Sequence, residues 1–308
     1  MLQTPVNFSG VLDTLHGLNS NLATVYLGNY NFTSESLDEV KVWTSLPNGV
    51  VDSSNNNDTL KRIVTTQLNG GNYTINANAA STSTNCRSFN ELFDRIERYG
   101  ICSTIIVDVE PGSGPYYELA TLNDFEGNST KRIVINGNGE KLINPIINDS
   151  IASTFRIENS SFITIEGLIV ESKDVKYGDA LLLHLTKDIS ILNSVFRVDS
   201  LINSNNSICV RVSDRGLLRI QKIEGYVTTI ENFVFEGNEL NGGFNGLYIY
   251  GDVVARASNV KITNNSFKSF SRSGIYALNV DDLTIERNRI HEPELSYNET
   301  ISGVELLG

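Results

Sequence analysis

Pairs of apolar side chains two positions apart recur along most of the chain. Their second members are Ile135, Ile165, Ile191, Phe235, Ile262 and Ile285, which lie 30, 26, 44, 27 and 23 residues apart. Apolar residues alternating with polar ones indicate a β-strand that is buried on one face. A strand that returns at intervals of this size predicts stacked coils, each burying the apolar face of its neighbour. The pattern therefore predicts a parallel β-helix with one large insertion.

One coil, Asn259–Asn279, contains the whole repeat. Val260 and Ile262 form its anchor strand, and Phe267 belongs to an apolar row five positions further on. In a third strand Ile275 is apolar and points inward. Asparagines follow the anchors at three equivalent places: Asn238, Asn265 and Asn288. Asparagine tolerates the left-handed backbone region, and stacked amides can hydrogen-bond along the axis. We expect these asparagines to be structural.

A helix is predicted over residues 88–99. Ser88 is a suitable N-cap, Glu91 completes a capping box, and Gly100 ends the helix. The apolar face consists of Phe89, Leu92, Phe93 and Ile96. Because stacked repeats need a terminal cap, we assign residues 69–100 to an entry strand and a capping helix, ahead of a β-helix over residues 101–308 that is truncated at its C-terminal end.

The amino-terminal part, residues 1–68, alternates with period two and is rich in turn residues. It predicts strands at Ala23–Leu27, Leu37–Trp43 and Leu60–Thr66. These are too few for a complete sandwich of about seven strands. The segment is therefore interpreted as a partial β-sandwich module.

Particular stretches resemble known modules. The runs F-S-G-V-L, Y-L-G-N-Y-N-F and V-W-T-S-L-P-N-G-V-V-D, within residues 8–52, resemble an Ig-like, CARDB-type sandwich. The runs G-N-Y-T-I-N, S-F-N-E-L-F and Y-G-I-C, within residues 71–102, and the residues 105–118 are similar to the entry segment of a right-handed β-helix. The resemblance implies a large secreted or surface protein of Bacteroidetes-type bacteria. Relatives of this kind often end in a type IX secretion sorting domain.

These features lead to an expected location and a set of expected partners. The chain is expected to be a monomeric fragment of a longer polypeptide, extracellular or on the cell surface, with its export signal outside residues 1–308. Its net charge of −12 and lack of a basic cluster argue against nucleic acid. No apolar run has the length of about 20 residues that a membrane span needs. Cys86 and Cys102 flank the predicted helix and are candidates for a disulfide, the alternative being two buried free thiols.

Candidate chemistry lies on the outer side of the third strand of each coil. The alignment of that strand predicts two outer rows: Arg156, Leu182, Cys209, Tyr248, Tyr276 and Glu305 in the first, and Glu158, His184, Arg211, Tyr250, Leu278 and Leu307 in the second. Tyr248, Tyr276 and Arg156 are candidate substrate contacts, with the tyrosines stacking on sugar rings. A uronic-acid lyase needs a cation, a base and an acid. Arg211, His184 and Tyr250 are therefore its candidate catalytic residues.

Two functions remain open at this point. The first is a structural or adhesin-like module that contacts polysaccharide or surface glycan. The second is a polysaccharide lyase or other carbohydrate-active enzyme acting on the same face. No cofactor and no metal site is predicted, because no Cys, His or carboxylate spacing defines one. Acidic turns leave calcium as the one ion to consider.

Overall fold

The structure is a computed structural model that describes residues 4–7, 26–45, 59–144, 153–173, 178–199, 207–213, 230–294 and 300–308. The chain forms two compact units, Met1–Thr66 and Gln67–Gly308. In the first, β1 (Leu37–Trp43) and β2 (Thr59–Thr65) pair antiparallel. Of the strand predicted at Ala23–Leu27, residues 26 and 27 do not belong to a strand, and residues 23–25 lie outside the described part. The Ig-like module stays a prediction.

The second unit contains the capping helix and a long series of short strands. Its first part contains, in chain order, β3 (Gly71–Ile75), β4 (Asn85–Cys86), α1 (Phe89–Tyr99), β5 (Ile105–Val109), β6 (Tyr116–Tyr117), β7 (Ala120–Asn123), β8 (Ile133–Asn136) and β9 (Lys141–Asn144). The middle coils contain β10 (Ser153–Glu158), β11 (Ser161–Glu166), β12 (Ile169–Ser172), β13 (Asp179–His184), β14 (Lys187–Leu192), β15 (Val195–Val198) and β16 (Ile208–Ser213). The last coils contain β17 (Glu231–Glu236), β18 (Glu239–Asn241), β19 (Asn245–Tyr250), β20 (Ala257–Thr263), β21 (Ser266–Lys268), β22 (Ser273–Leu278), β23 (Val280–Glu286), β24 (Arg289–His291) and β25 (Ser302–Leu307).

The strands of the second unit form three parallel sheets. Sheet A has nine strands in the order β4-β3-β5-β8-β11-β14-β17-β20-β23. Sheet B is β6-β9-β12-β15-β18-β21-β24, and sheet C is β7-β10-β13-β16-β19-β22-β25. From β8 onward each coil contributes one strand to A, then B, then C. Every strand therefore pairs with the equivalent strand one coil away, which confirms the predicted parallel β-helix.

Equivalent residues of adjacent coils lie side by side, and we call each such row a ladder. The predicted anchors form two interior ladders in sheet A: Ile163 pairs in register with Ile189, and Ile165 with Ile191. In sheet B, Leu240 pairs with Phe267. These side chains are buried. Their burial is the main source of stability, because a coil cannot bury its apolar surface alone.

A polar ladder runs through the bend between sheets A and B. Asn238 N–H donates to Oδ1 of Asn265 at 2.8 Å, and Asn265 N–H donates to Oδ1 of Asn288 at 2.9 Å. The same pattern extends to Ser194, whose N–H donates to Oδ1 of Asn238 at 2.9 Å. The structural role expected of these asparagines is therefore observed. The left-handed residue, however, is the one before each of them, such as Asn264 with φ of 58°.

Helix α1 covers the first edge of the coil stack. Ser88 Oγ accepts the N–H of Glu91, and the N–H of Gly100 donates to the carbonyl of Ile96, as the capping signals predicted. Asn90 reaches the edge strand β7, where its Oδ1 accepts the N–H of Thr121 at 3.0 Å. The Phe93 ring stacks on that of Phe155 with centroids 5.7 Å apart. The helix therefore covers apolar side chains and satisfies backbone groups of an edge strand.

The predicted disulfide does not form in the structure, because Cys86 and Cys102 are both free thiols. Cys86 is buried and Cys102 is exposed. Sγ of Cys86 lies 3.0 Å from Nη1 of Arg95 on the helix. The alternative of two buried free thiols therefore holds for Cys86 but not for Cys102, which is exposed.

Candidate functional site

The candidate site is the outer face of sheet C, where two ladders of side chains point away from the coil interior. The first ladder is Arg156, Leu182, Arg211, Tyr248, Tyr276 and Glu305. The second ladder is Glu158, His184, Ser213, Tyr250, Leu278 and Leu307. Together we call these two ladders, with the adjoining Asp179, Asn245 and Arg272, the sheet C face.

The register corrects the sequence alignment at β16. Arg211 pairs with Leu182 and Tyr248, so it belongs to the first ladder and not to that of His184. Ser213 takes the place that the alignment assigned to Arg211. Cys209 is not on the outer face: its buried thiol donates to the carbonyl of Asn241 at 3.2 Å. The alignment slipped by two residues, so Arg211 stays on its predicted side but moves to the other ladder. An alternating apolar pattern does not reveal a slip by an even number of residues.

Arg211 is held by a buried carboxylate at the start of β13. Its Nε donates to Oδ2 of Asp179 at 2.6 Å, and its Nη2 donates to Oδ1 at 3.1 Å. The Asp179 side chain is fully buried, whereas 19% of the Arg211 side chain is exposed. Burial by itself disfavours the guanidinium charge, but the Asp179 carboxylate raises the pKa of Arg211. The cation is therefore permanent and already neutralised.

Three tyrosine rings lie nearly parallel on this face. Tyr248 and Tyr276 have centroids 4.9 Å apart and an interplanar angle of 5°. Tyr250 lies 6.3 Å from Tyr248 at 11°. The guanidinium of Arg211 lies 5.5 Å from the Tyr248 centroid, and that of Arg272 lies 5.8 Å from the Tyr276 centroid. The ring faces of Tyr248 and Tyr276 thus contact each other and two cations.

His184 lies beside Glu158 in the second ladder. Nδ1 of His184 is 3.4 Å from Oε1 of Glu158, and Nη2 of Arg156 donates to the same oxygen at 2.6 Å. Burial alone would raise the pKa of Glu158, but the hydrogen bond from His184 and the Arg156 guanidinium hold that pKa below its ordinary value. Glu158 is therefore an ionised acceptor that orients both neighbours.

The lyase hypothesis needs His184, Arg211 and Tyr250 around one substrate carboxylate. The structure places His184 and Tyr250 in one ladder, with Ser213 between them, and Arg211 in the other. The expected substrate contacts Tyr248, Tyr276 and Arg156 do share one ladder with Arg211.

The sequence alignment placed Glu305 in the first outer row, but it assigned no role to that carboxylate, to Asp179 or to Arg272. Glu305 accepts a hydrogen bond from Nη2 of Arg272 at 3.0 Å and from Oγ of Ser273 at 3.0 Å. The repeat is the signal that placed Glu305, because its position is equivalent to that of Tyr276. Asp179 and Arg211 are 32 positions apart, and the repeat pattern does not indicate that they pair.

Within the described ranges, no group of three or more His, Cys, Asp or Glu side chains could hold a metal ion. The suggested calcium ion therefore stays a prediction without a defined site. No helix in the described part of the chain is long and apolar enough to cross a membrane.

Comparisons with known proteins agree with the architecture. Residues 180–302 match the family model described as a right handed beta helix region. With the three parallel sheets, this match confirms the expected fold, a right-handed parallel β-helix. No curated protein matches the sequence.

Two solved structures are similar to this chain. One is GH136 lacto-N-biosidase from Eubacterium ramulus, with 14% identity and a TM-score of 0.48 over 68% of this chain and 43% of that chain. The other is PfbA, a surface adhesin of Streptococcus pneumoniae, with 17% identity and a TM-score of 0.32 over 61% of this chain and 50% of that chain. The chain thus spans about half the length of these proteins or less.

Proposed function

We propose that this chain is a glycan-contacting, adhesin-like module of a secreted or cell-surface protein, and that the sheet C face is its contact surface. The observation that carries the proposal is the parallel arrangement of Tyr248, Tyr250 and Tyr276 on one rigid sheet. Each ring is only partly buried. Tyrosine offers a large contact area and a hydroxyl group at a small cost in side-chain entropy.

Preorganisation supports binding on this face. The phenol rings are fixed by each other and by Arg211 and Arg272, which are themselves fixed by Asp179 and Glu305. A ligand therefore does not have to order these side chains, and ordering costs about 0.5–1.5 kcal/mol for each mobile side chain. An extended row of fixed polar groups suits an extended ligand such as a polysaccharide.

The same contacts favour binding over lyase chemistry. A lyase needs a cation that can neutralise the carboxylate of the substrate. Arg211 already makes two hydrogen bonds to Asp179, and it is offset from His184 and Tyr250 by one ladder. The polysaccharide lyase is the alternative against which the proposal is tested.

The first experiment measures glycan binding by the wild-type chain on a broad glycan array, followed by calorimetry with the best ligand. We expect Tyr248→Ala and Tyr276→Ala each to weaken binding by about 2 kcal/mol, which is typical of an aromatic hot spot. Tyr117→Ala is the matched control, because Tyr117 is 65% exposed and lies on sheet B. Equal effects of all three substitutions would place the contact surface elsewhere.

The second experiment follows the absorbance of unsaturated products from uronic-acid polysaccharides. We expect no turnover by the wild-type chain. Turnover that His184→Ala abolishes would establish the lyase and refute a purely binding role.

A further inference from the structure

The arginine side chains of the sheet C face are all paired with carboxylates. Arg156 pairs with Glu158 at 2.6 Å, Arg211 with Asp179 at 2.6 Å, and Arg272 with Glu305 at 3.0 Å. Within the described residues of this face, the positive charges of the three guanidinium groups cancel the negative charges of the three carboxylates. A surface built to hold a polyanion would instead present cations without partners.

We infer that the ligand of the sheet C face is a neutral, hydroxyl-rich glycan, and not a uronate or sulfated polysaccharide. This inference rests on the proposed function and specifies its substrate class. A guanidinium–carboxylate pair supplies donors and acceptors side by side. Sugar hydroxyl groups both donate and accept, so they can bond to both halves of such a pair without a net charge on the ligand.

Tyr276 favours the same ligand class through its hydroxyl group. Because the faces of Tyr248 and Tyr276 contact each other and two guanidinium groups, sugar rings cannot stack there as the sequence suggested. Burial, and after it the nearby Glu305 carboxylate, raises the pKa of Tyr276. This phenol therefore stays protonated at neutral pH and can donate a hydrogen bond to a hydroxyl oxygen.

Two buried polar atoms beside the ion pairs have no hydrogen-bond partner. Among the described residues of this face they are Nε of Arg156, a donor, and Oδ1 of Asn245, an acceptor. Asn245 pairs in register with Ser273, next to the Arg272–Glu305 pair. Unpaired groups of both kinds suit a ligand that carries both donors and acceptors.

The length of the sheet C face and the net charge of the chain also fit a neutral oligosaccharide. From β10 to β25 the sheet C face crosses five strand spacings, or roughly 24 Å at the usual separation of parallel strands. This distance accommodates a short oligosaccharide along the coil axis. The chain as a whole carries a net charge of −12, which repels polyanions at long range.

The test compares neutral and carboxylated oligosaccharides of equal length by calorimetry with the full chain at low and high salt. We expect the neutral ligand to bind at least about tenfold more tightly, which corresponds to 1.4 kcal/mol. We expect its affinity to be insensitive to salt, because no net charge is neutralised on binding.

A variant tests the pairing directly. Glu305→Gln leaves Arg272 without its carboxylate and should raise the affinity for the carboxylated ligand several-fold. Glu239→Gln is the control, because Glu239 forms an ion pair with Lys268 on sheet B, away from this face.

The possible failures are distinguishable. Tighter, salt-sensitive binding of the carboxylated ligand to the wild type would overturn the inferred ligand class while leaving the contact surface intact. Failure of both ligand classes to bind would refute the proposed function itself and the inferred class with it.

Discussion

Replacing Asn265 by alanine should destabilise the β-helix more than any surface substitution. Asn265 is 2% exposed. Its Oδ1 accepts the N–H of Asn238 at 2.8 Å and Nδ2 of Asn238 at 3.1 Å. Its Nδ2 donates to the carbonyl of Phe235 at 2.9 Å and to Oδ1 of Asn288 at 3.0 Å. One side-chain amide therefore connects three consecutive coils.

The expected magnitude follows from which groups lose their partner. Nδ2 of Asn238 still donates to the carbonyl of Ile191, and Oδ1 of Asn288 still accepts the backbone N–H of residue 265. The N–H of Asn238 and the carbonyl of Phe235 are left without the amide. A buried polar group that loses its partner costs about 1–3 kcal/mol. We therefore expect a loss of about 4 kcal/mol in the free energy of unfolding.

Urea unfolding followed by circular dichroism measures this loss. Asn241→Ala is the matched control, because Asn241 lies in the outer ladder of sheet B and its removal should cost less than about 0.5 kcal/mol. The single tryptophan, Trp43, lies in β1 of the first unit, so its fluorescence reports that unit separately. A cost for Asn265→Ala no larger than for Asn241→Ala would refute the idea that the ladder stabilises the stack.

Three further predictions concern buried groups. Asp179→Ala should lower the free energy of unfolding by about 3–5 kcal/mol, because it leaves the Arg211 cation buried without a partner, and the double variant with Arg211→Met should recover part of that loss. The Glu118 carboxylate accepts two backbone N–H groups at the start of α1, and burial raises its pKa. Its contribution to stability is therefore present at low pH and is lost as the pH rises through the folded-state pKa. In the same urea assay, Glu118→Gln should lose less stability than the wild type between about pH 4 and pH 8. Burial raises the pKa of the Cys209 thiol to about 12, so mass spectrometry should find rapid alkylation of exposed Cys102 and none of Cys209 until the chain unfolds.

The coil architecture was predictable because its signals are local and repeated. Each anchor pair, such as Val260 and Ile262, identifies an inward-facing strand from its own neighbourhood, and six copies fix the order of the coils. The helix at Phe89–Tyr99 carries its start and stop signals within one turn of its ends. Such patterns need no knowledge of the tertiary structure.

The face itself was predictable only in part. The alternation of apolar and polar residues assigned the correct side to Arg211 and Tyr248. In β16, however, Ile208, Val210 and Val212 are all apolar and two positions apart, so more than one of them can be aligned with the inward residues of the neighbouring coils. Choosing between them requires the packing of the neighbouring coils. The ion pairs of Arg211 and Arg272 could not be predicted for a different reason. Their partners, Asp179 and Glu305, lie on adjacent coils, at distances in sequence that vary with loop length.

The polar ladder has a consequence for how such a protein can change over time. Its bonds join residues 44 positions apart between Ser194 and Asn238, 27 apart between Asn238 and Asn265, and 23 apart between Asn265 and Asn288, with nearly the same geometry. The register between adjacent coils is thus set at the bend between sheets A and B. It does not depend on the length of the chain elsewhere in the coil. Because closing a longer loop costs only about 0.6 kcal/mol per doubling of its length, insertions beside sheet C can accumulate and diversify recognition without shifting the coils that support them.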